Sequence, residues 1–503
     1  MHLLDWLAIS AYFLLMLVVG FVIRRRVHNA RDFFTAGGKM PWWLAGISHH
    51  MSGYSSAVFV GYAALAYTEG FSLYIWWACT IVVSLLLGSF VFAPRWVRLR
   101  VRTGMISPLE YLAARYNVPT QMCLACSGSL LKIFDVGAKW TASALLLQMF
   151  AHVDLRWGVL LTGGVTLVYS VMGGLWADAA TDLSQFVIQL VSGIAMFVVV
   201  LAHLGGAGAL GSMWAWLPAS HHQLFHGPYT PAFAGAYLLI NLLSYNGGTW
   251  SLAQRFLASP DETSARRSAQ LSAALYLVWP LVLFYPMWAA PILLPHLADP
   301  SNSYALLAQS YLPAGMVGLV LAGLFAHSMA MTSSDANAIA AVVIRDIAPV
   351  LLPARWTEGE RRQLLAARLC TFSFLAGSMV IALFANHMGG VLGLILLWYG
   401  ALVGPIAVPM LLGMLPLFRR SGAAAAMASW IAGIVTFAVT KRFSGGVSLA
   451  FTVGGPVCLS FFTYVVVGLL RPARSPRARE LFTAMAASEG SYPLSSEEIS
   501  TTP

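Results

Sequence analysis

Charged residues are scarce in this sequence. Asp, Glu, Lys and Arg make up 10% of the 503 residues, whereas 59% of the residues are apolar. A chain of this length with so little polar surface is not a soluble protein. The net charge is +10, but no basic stretch is interleaved with base-stacking aromatics, so no nucleic-acid partner is expected. The composition indicates an integral protein of a lipid bilayer.

Cysteine is also rare. The five cysteines are an odd number and give no disulfide framework. Cys123 and Cys126 lie inside an apolar segment without a second pair, which favours packing over metal binding. No Ser/His/Asp arrangement and no metalloprotease motif occurs, so the sequence does not predict an enzyme. Nothing in it indicates an obligate protein partner.

Long apolar segments dominate instead, and thirteen are long enough to cross a bilayer. They lie at residues 4–23, 42–66, 71–93, 122–150, 157–173, 182–204, 232–250, 269–295, 314–344, 363–386, 390–417, 422–440 and 446–470. If the N-terminus lies outside, internal loops hold 24 of the 29 Lys and Arg residues. The pattern predicts an all-α, multi-pass protein of the cell membrane with its C-terminus in the cytoplasm.

Two of these spans contain matched helix-breaking runs. Ser52-Gly53-Tyr54-Ser55 lies in the second span, and the run from Tyr245-Asn246 to Thr249 lies in the seventh. Glycines in membrane helices often serve close packing, but breaks five spans apart are typical of two inverted repeats around a binding site. Ser52, Gly53, Tyr245 and Asn246 are therefore candidate solute-binding residues.

The repeat hypothesis divides the chain into five regions. Residues 1–41 form an extra span and a loop, 42–204 and 205–417 form the two five-span repeats, and 418–470 form two accessory spans. Residues 471–503 are rich in Arg, Ser, Glu and Pro without an apolar period, which predicts a disordered cytoplasmic tail.

The fourth span carries three charges. Lys132, Asp135 and Lys139 are spaced i, i+3 and i+7, so they share one helix face. One interpretation is a salt bridge, with Lys132 extending to the cytoplasmic interface. The other places Asp135 and Lys139 at the solute site, because ionisable groups at membrane depth are functional candidates. Such a pair suits a polyhydroxylated or zwitterionic solute.

Several motifs carry a family resemblance. GGLWADAATDLSQFVIQL from Gly173, DFFTAGGKMPWWLAGIS from Asp32, SPLEYLAARYN from Ser107 and the Gln254-Arg255 pair resemble the sodium:solute symporter family. That family includes sodium/glucose, sodium/proline and sodium/sialic acid transporters, and the resemblance runs from about residue 4 to 470. It implies a leucine-transporter-type fold with five-plus-five inverted repeats and alternating access.

The resemblance also implies sodium sites. The first would use the backbone carbonyls of Met51, Tyr54 and His327, but the two hydroxyl ligands of the family become Ala330 and Met331. The second would use the side chains of Asp182, Ser333 and Ser334, which match the family residue by residue. Asp335 is adjacent to the two serines in the sequence. Asp182 could instead be a water-facing helix cap. Tyr245 matches an aromatic residue that covers the solute in the sugar-transporting branch.

The resulting expectation is a sodium-coupled symporter that imports a small polar organic solute: sugar-like, zwitterionic or an organic acid. Sodium serves as the coupling ion, and no other cofactor is expected. One alternative is a proton symporter working through Asp182, Asp335 and the histidines His49, His50 and His327. Those histidines could also be hydrogen-bonded packing residues. The second alternative is a transporter-like sensor that binds its solute without moving it.

Overall fold

The computed structural model describes residues 1–353, 359–385, 399–443, 448–473 and 475–486. These residues form helices, turns and two isolated β-bridges, with no β-strand among them. The all-α prediction is therefore confirmed for this part of the chain. Residues 386–398 lie outside the described residues; they include the last residue of the predicted tenth span and the start of the predicted eleventh.

The first half contains nine helices. They are α1 Leu3–Ile23, α2 Ala30–Thr35, α3 Trp42–Met51, α4 Ala63–Glu69, α5 Thr80–Val91, α6 Ala93–Thr103, α7 Leu112–Arg115, α8 Val118–Ala151 and α9 Leu155–His203. Helix α8 begins where the Asn117 side chain accepts a hydrogen bond from the Thr120 N–H at 2.9 Å, with Pro119 in the first turn.

The rest of the described chain adds twelve helices. They are α10 Ala209–Ser212, α11 Pro231–Leu243, α12 Ser251–Ala258, α13 Glu262–Leu293, α14 Ser303–Tyr311, α15 Met316–Val342, α16 Ala348–Leu351, α17 Glu360–Leu383, α18 Val408–Leu412, α19 Ala423–Arg442, α20 Leu449–Leu470 and α21 Pro476–Ala486. Thr230 and Asp261 cap α11 and α13 in the same way as Asn117 caps α8.

Eight helical segments in the described ranges are long and apolar enough to cross a membrane. Helix α9, at 49 residues, covers two predicted spans and bends at Gly174, where φ is 50° and ψ is −143°. A side chain at Gly174 would approach the Phe33 carbonyl oxygen to 2.4 Å, so this bend requires glycine. The bend separates the predicted fifth and sixth spans.

Both predicted helix breaks are present. Helix α3 ends at Met51, and an irregular stretch followed by the π-turn Val58–Tyr62 leads into α4. Helix α11 gives way to the π-turn Ser244–Gly248, in which Gly247 has φ 117°, before α12 begins. The Tyr245 hydroxyl donates to the Gly53 carbonyl at 2.7 Å, so the two breaks lie against each other.

The centre of the bundle is built on α15. It packs against α1, α8 and α9, while α3 packs against α9 and α13. The Asp5 carboxylate of α1 accepts from the N–H groups of Gly315 and Gly318 at 2.7 and 3.0 Å. It thereby accepts hydrogen bonds from N–H groups at the start of α15 that have no partner within the helix, where a negative charge is favourable. Helices α3, α8, α9 and α15 thus surround the breaks.

The predicted disordered tail is wrong for residues 476–486, which form α21. Leu481 and Met485 of this helix are buried against the bundle, and Arg98 donates to the Met485 carbonyl at 2.8 Å. The two apolar residues are four apart, so they share one face of a short amphipathic helix among arginines. Residues 487–503 lie outside the described residues.

Removing α21 is expected to destabilise the protein. A chain that ends at residue 473 would expose the surface now covered by Leu481 and Met485, at a cost of about 2–4 kcal/mol. Thermal unfolding of the purified protein should then occur at a lower temperature than for the full chain. A chain that ends at residue 486 keeps these contacts and serves as the control; equal unfolding temperatures for both truncations would contradict the packing role.

Candidate solute and cation site

Four charged side chains from α8 and α15 form a closed, buried cluster, which we call the charge quartet: Lys132, Asp135, Lys139 and Asp335. The Asp335 carboxylate contacts both lysines: its Oδ1 lies 2.6 Å from the Lys132 Nζ, and its Oδ2 lies 2.6 Å from the Lys139 Nζ. Asp135 lies 2.8 Å from the Lys139 Nζ and 3.6 Å from the Lys132 Nζ. Two positive and two negative charges balance, so the quartet is formally neutral.

This geometry corrects one interpretation of Lys132. Its side chain does not extend to the cytoplasmic interface but is fully buried on Asp335. The helix-face spacing identifies three members of the quartet, whereas it does not connect Asp335 with them. Its partners are about 200 residues earlier in the chain, so no local spacing could reveal the pairing.

The quartet lies next to the broken second span. The Ser328 hydroxyl of α15 donates to the Lys139 carbonyl at 3.4 Å and lies 2.5 Å from the Ser56 hydroxyl. Ser56 follows α3 in the irregular stretch and also lies 3.2 Å from the Ser143 hydroxyl of α8. A chain of hydroxyls therefore connects the helix break to the backbone of α8 at Lys139, one member of the quartet.

A second buried cluster, the carboxylate–serine cluster, contains Asp178, Asp182, Ser48, Ser52, Ser333, Ser334 and Arg255. Ser334 donates to Asp178 at 2.8 Å, and Ser333 donates to the other oxygen of the same carboxylate. Asp182 instead accepts from Ser48 at 2.5 Å. The structure thus brings the three predicted residues Asp182, Ser333 and Ser334 together, but Asp178 binds the serines.

Arg255 lies within this cluster. Its Nη2 is 2.5 Å from Asp178, 2.5 Å from Ser334 and 2.9 Å from Ser52. It is also 3.4 Å from the Oδ2 of Asp182, whose Oδ1 has no hydrogen-bond partner in the described part of the chain. Two carboxylates and one guanidinium leave one formal negative charge. A buried negative charge of this kind favours a further cation.

Asp182 is not a water-facing helix cap, because α9 continues through it and its side chain is fully buried. Sequence reasoning missed Asp178 and gave Arg255 no role in the site. The spacing carried a signal for Asp178, since it precedes Asp182 by four residues and shares its helix face. Arg255 belongs to the Gln254-Arg255 pair that closes the broken seventh span.

The predicted first sodium position has lost the hydroxyl pair of the family, because residues 330 and 331 are Ala and Met. Met51 and Ala330 are buried together with Phe186 in a small apolar cluster, and the Ser333 and Ser334 hydroxyls that donate to the Ala330 carbonyl belong to the carboxylate–serine cluster. Helix α3 ends at Met51, and within the described ranges no N–H donates to the carbonyls of Met51 and Tyr54. These carbonyls are open acceptors, but carbonyls alone give a hard cation fewer ligands than it prefers.

The three histidines do not contact the charge quartet. His49 lies 3.0 Å from the Ser272 hydroxyl and 3.1 Å from the Tyr245 carbonyl, while His50 lies 3.3 Å from the Tyr54 hydroxyl. The His327 ring packs on Tyr54 with 4.4 Å between ring centroids. Both nitrogens of His327 are buried without a partner among the described residues, so this ring is an available polar group beside the break.

The remaining predicted solute residues lie at the two breaks, Ser52 and Gly53 in the second span and Tyr245 and Asn246 in the seventh. The Asn246 side-chain amide donates to the carbonyls of Ser84 and Leu242 at 3.1 and 2.8 Å, and its Oδ1 is buried without a described partner. Tyr245 contacts Gly53, and the Ser52 hydroxyl lies 2.8 Å from that of Ser334. Ser52 therefore connects the break of the second span to the carboxylate–serine cluster.

Comparison with known proteins identifies a family and several relatives of this chain. The family model "Sodium:solute symporter family" matches residues 33–433. The sodium/sialic acid symporter NanT of Aliivibrio fischeri is 25% identical over 499 residues, covering 93% of this chain and 91% of its own. The sodium-dependent multivitamin transporter of Oryctolagus cuniculus is 25% identical over 459 residues, covering 86% of this chain and 69% of its own.

Among solved structures, a Na⁺-coupled sialic acid symporter in a substrate-bound outward-open state superposes with a TM-score of 0.81. It is 21% identical, and the match covers 94% of this chain and 99% of that one. The fold is thus of the predicted leucine-transporter type. The family match confirms the expectation of a membrane transporter, rather than an enzyme, that couples sodium to a small organic solute. The chain belongs to the sodium:solute symporter family.

Proposed function

We propose that this transporter imports a small polar solute with sodium bound at the carboxylate–serine cluster. The observation that carries the proposal is the oxygen set around Asp178: two carboxylates and the hydroxyls of Ser333 and Ser334, all buried, beside the broken second span. Sodium is a hard cation that prefers such oxygen ligands. The Oδ1 of Asp182, which has no partner among the described residues, and the formal negative charge of the cluster support a monovalent cation there.

The Arg255 side chain would move away from the cluster when sodium binds. Its guanidinium now holds the oxygens of Asp178, Ser334 and Ser52 that a sodium ion would need. Because Ser52 belongs to the helix break, moving Arg255 away changes the contacts of the segment that closes over the solute. This arrangement supports a link between ion binding and the conformation of the breaks.

The solute would bind between the two breaks and the charge quartet. Asp135 and Lys139 lie one helical turn apart. When their ion pair opens, Asp135 can bind an ammonium group of the solute and Lys139 can bind a carboxylate. Ser52, Gly53, Tyr245 and Asn246 would supply polar contacts from the breaks. A neutral quartet favours a zwitterionic or polyhydroxylated solute over a strongly charged one. Sialic acid and vitamins, which the relatives carry, belong in the tested panel.

We place the protein in the cell membrane with its N-terminus outside. The short loops that hold most of its arginines would then face the cytoplasm. Solute and sodium would enter together by alternating access, driven by the inward sodium gradient.

A thermal-shift screen tests this proposal. Purified full-length protein would be mixed with sugars, amino acids, sialic acid and other organic acids, each with sodium or with choline in its place. A transported solute should raise the unfolding temperature more with sodium than without it, because each ligand stabilises the state that binds the other. A solute that stabilises the protein equally in both salts would contradict sodium coupling at this site.

Restoring the missing hydroxyls should strengthen sodium binding. The double change Ala330→Ser and Met331→Thr adds two oxygen ligands at the first sodium position, near the open carbonyls of Met51 and Tyr54. We expect the sodium concentration for half-maximal uptake to fall by about tenfold, equivalent to about 1.4 kcal/mol. The matched change Ala338→Ser, elsewhere on α15, should leave that concentration unchanged. An identical sodium response in both variants would mean that the two added hydroxyls do not build a cation site at this position.

A further inference from the structure

A cavity of about 670 Å³ opens at the end of the bundle where α19 and α21 begin. Its walls include Arg419, Arg420, Pro472, Ala473 and Ser475, which precedes α21. The Ala473 N–H donates to the Arg420 carbonyl at 2.8 Å, and Ser421 bridges to Pro472. The two loops are therefore held together, and the volume suits a small ligand.

Four arginines line this cavity, which we call the arginine pocket: Arg115, Arg419, Arg420 and Arg479. No acidic side chain lines it among the residues that the structure describes. Arg419, Arg420 and Arg479 are exposed, so their guanidinium groups can move onto a ligand. Arginine forms paired hydrogen bonds with phosphate and carboxylate oxygens. The charge of the pocket therefore selects an anion.

Arg115 forms a fixed part of the wall. It is only 2% exposed, and its Nε and Nη2 donate to the carbonyls of Gly413 and Phe418 at 2.8 and 2.7 Å. The rings of Tyr116 and Phe482 flank the guanidinium at 4.7 and 5.0 Å. Its Nη1 makes no hydrogen bond to any described residue. A buried cation, whose Nη1 donates to no described residue, is thus oriented in the pocket wall before any ligand arrives.

Two helix starts add to the positive field. Helix α19 begins after Gly422 without a side-chain cap from the described residues, and both Gly422 and Ala423 line the pocket. Helix α21 begins beside it, with Ser475 as its cap and Arg479 in its first turn. The N–H groups and dipoles at helix starts favour anions, phosphates in particular.

We propose that the arginine pocket binds the phosphate of an anionic phospholipid headgroup. The neighbouring surface favours a lipid over a soluble phosphate compound. Leu417 precedes the arginine loop and is 83% exposed, and Leu469 and Leu470 at the end of α20 are 66% and 75% exposed. In a membrane protein such leucines lie against acyl chains. A lipid can thus place its phosphate on the arginines and its chains on the leucines.

The test uses the full-length protein in a neutral detergent. Thermal unfolding would be followed while phosphatidylglycerol, phosphatidylcholine or inorganic phosphate is added. The variant Arg419→Gln/Arg420→Gln/Arg479→Gln removes the exposed arginines and leaves Arg115 in the wall. The control Arg361→Gln/Arg362→Gln removes exposed arginines at the start of α17. We expect phosphatidylglycerol alone to raise the unfolding temperature, and the triple variant to need at least about tenfold more of it.

Three results would overturn the proposal. The first is a triple variant that responds to phosphatidylglycerol as the unmodified protein does. The second is an equal loss of the phosphatidylglycerol response in the α17 control, which would mean that the lipid effect is not specific to the arginine pocket. The third is full stabilisation by inorganic phosphate, which would assign the pocket to a soluble anion instead of a lipid.

Discussion

Asp335→Asn is expected to destabilise the protein by about 3–5 kcal/mol and to abolish uptake. Asp335 is fully buried and is the carboxylate that contacts both Lys132 and Lys139 at 2.6 Å. Its removal leaves two ammonium groups with Asp135 alone, and a buried charge without compensation costs about this much. Thermal unfolding of the purified variant, together with uptake in proteoliposomes, measures both effects.

A double variant shows whether the instability of Asp335→Asn comes from the unbalanced charge or from the changed side chain. Asp335→Asn with Lys132→Met restores a neutral set, in which Asp135 and Lys139 keep their 2.8 Å contact, so it should regain most of the lost stability. Asp154→Asn is the matched control, because Asp154 caps the exposed start of α9 and Asn caps helices equally well. If the double variant is as unstable as Asp335→Asn, charge imbalance is not the cause.

Asp178→Asn is expected to raise the sodium concentration for half-maximal uptake by about ten- to a hundredfold. This carboxylate accepts from both serines and contacts Arg255 at 2.5 Å. Without it, Asp182 and Arg255 cancel, and the cluster no longer carries the net negative charge that favours a cation. Losing a hydrogen-bonded charged ligand costs about 1.5–3 kcal/mol, which gives that range. Uptake measured over a series of sodium concentrations gives the shift.

Removing Arg255 as well provides the comparison. Asp178→Asn with Arg255→Gln returns the net charge to minus one through Asp182, so part of the sodium affinity should return. Ser429→Ala breaks buried hydrogen bonds with Ser460 between α19 and α20, and it controls for the loss of a buried hydrogen bond away from the cluster. An unchanged sodium requirement in Asp178→Asn, with only a lower maximal rate, would mean that Asp178 is structural.

Much of the fold follows from local sequence. Apolar length predicts the helices, and the glycine-containing runs at Gly53 and Gly247 predict the two breaks. Gly247 interrupts its helix with a φ of 117°, which glycine allows, whereas Gly53 leaves room for the Tyr276 hydroxyl, which a side chain at this position would approach to 2.0 Å. The tail was misread because Leu481 and Met485 are too few to show an apolar period. Their burial depends on a surface contributed by α6 and α7.

The site was predictable only in part. Lys132, Asp135 and Lys139 share a helix face and were found by spacing, and the family resemblance supplied Asp182, Ser333 and Ser334. The partners of these residues come from other helices. Asp335 reaches α8 and Arg255 reaches α9 across the bundle, and such contacts depend on how helices cross, which one sequence does not specify.

The central claim is that an inward sodium gradient drives solute uptake through this protein. Proteoliposomes would receive a sodium gradient and a proton gradient separately, with the solute identified by the thermal-shift screen. The account predicts concentrative uptake with the sodium gradient at equal pH, reduced in Asp178→Asn and recovered at higher sodium. Full uptake driven by the proton gradient with sodium absent would contradict it.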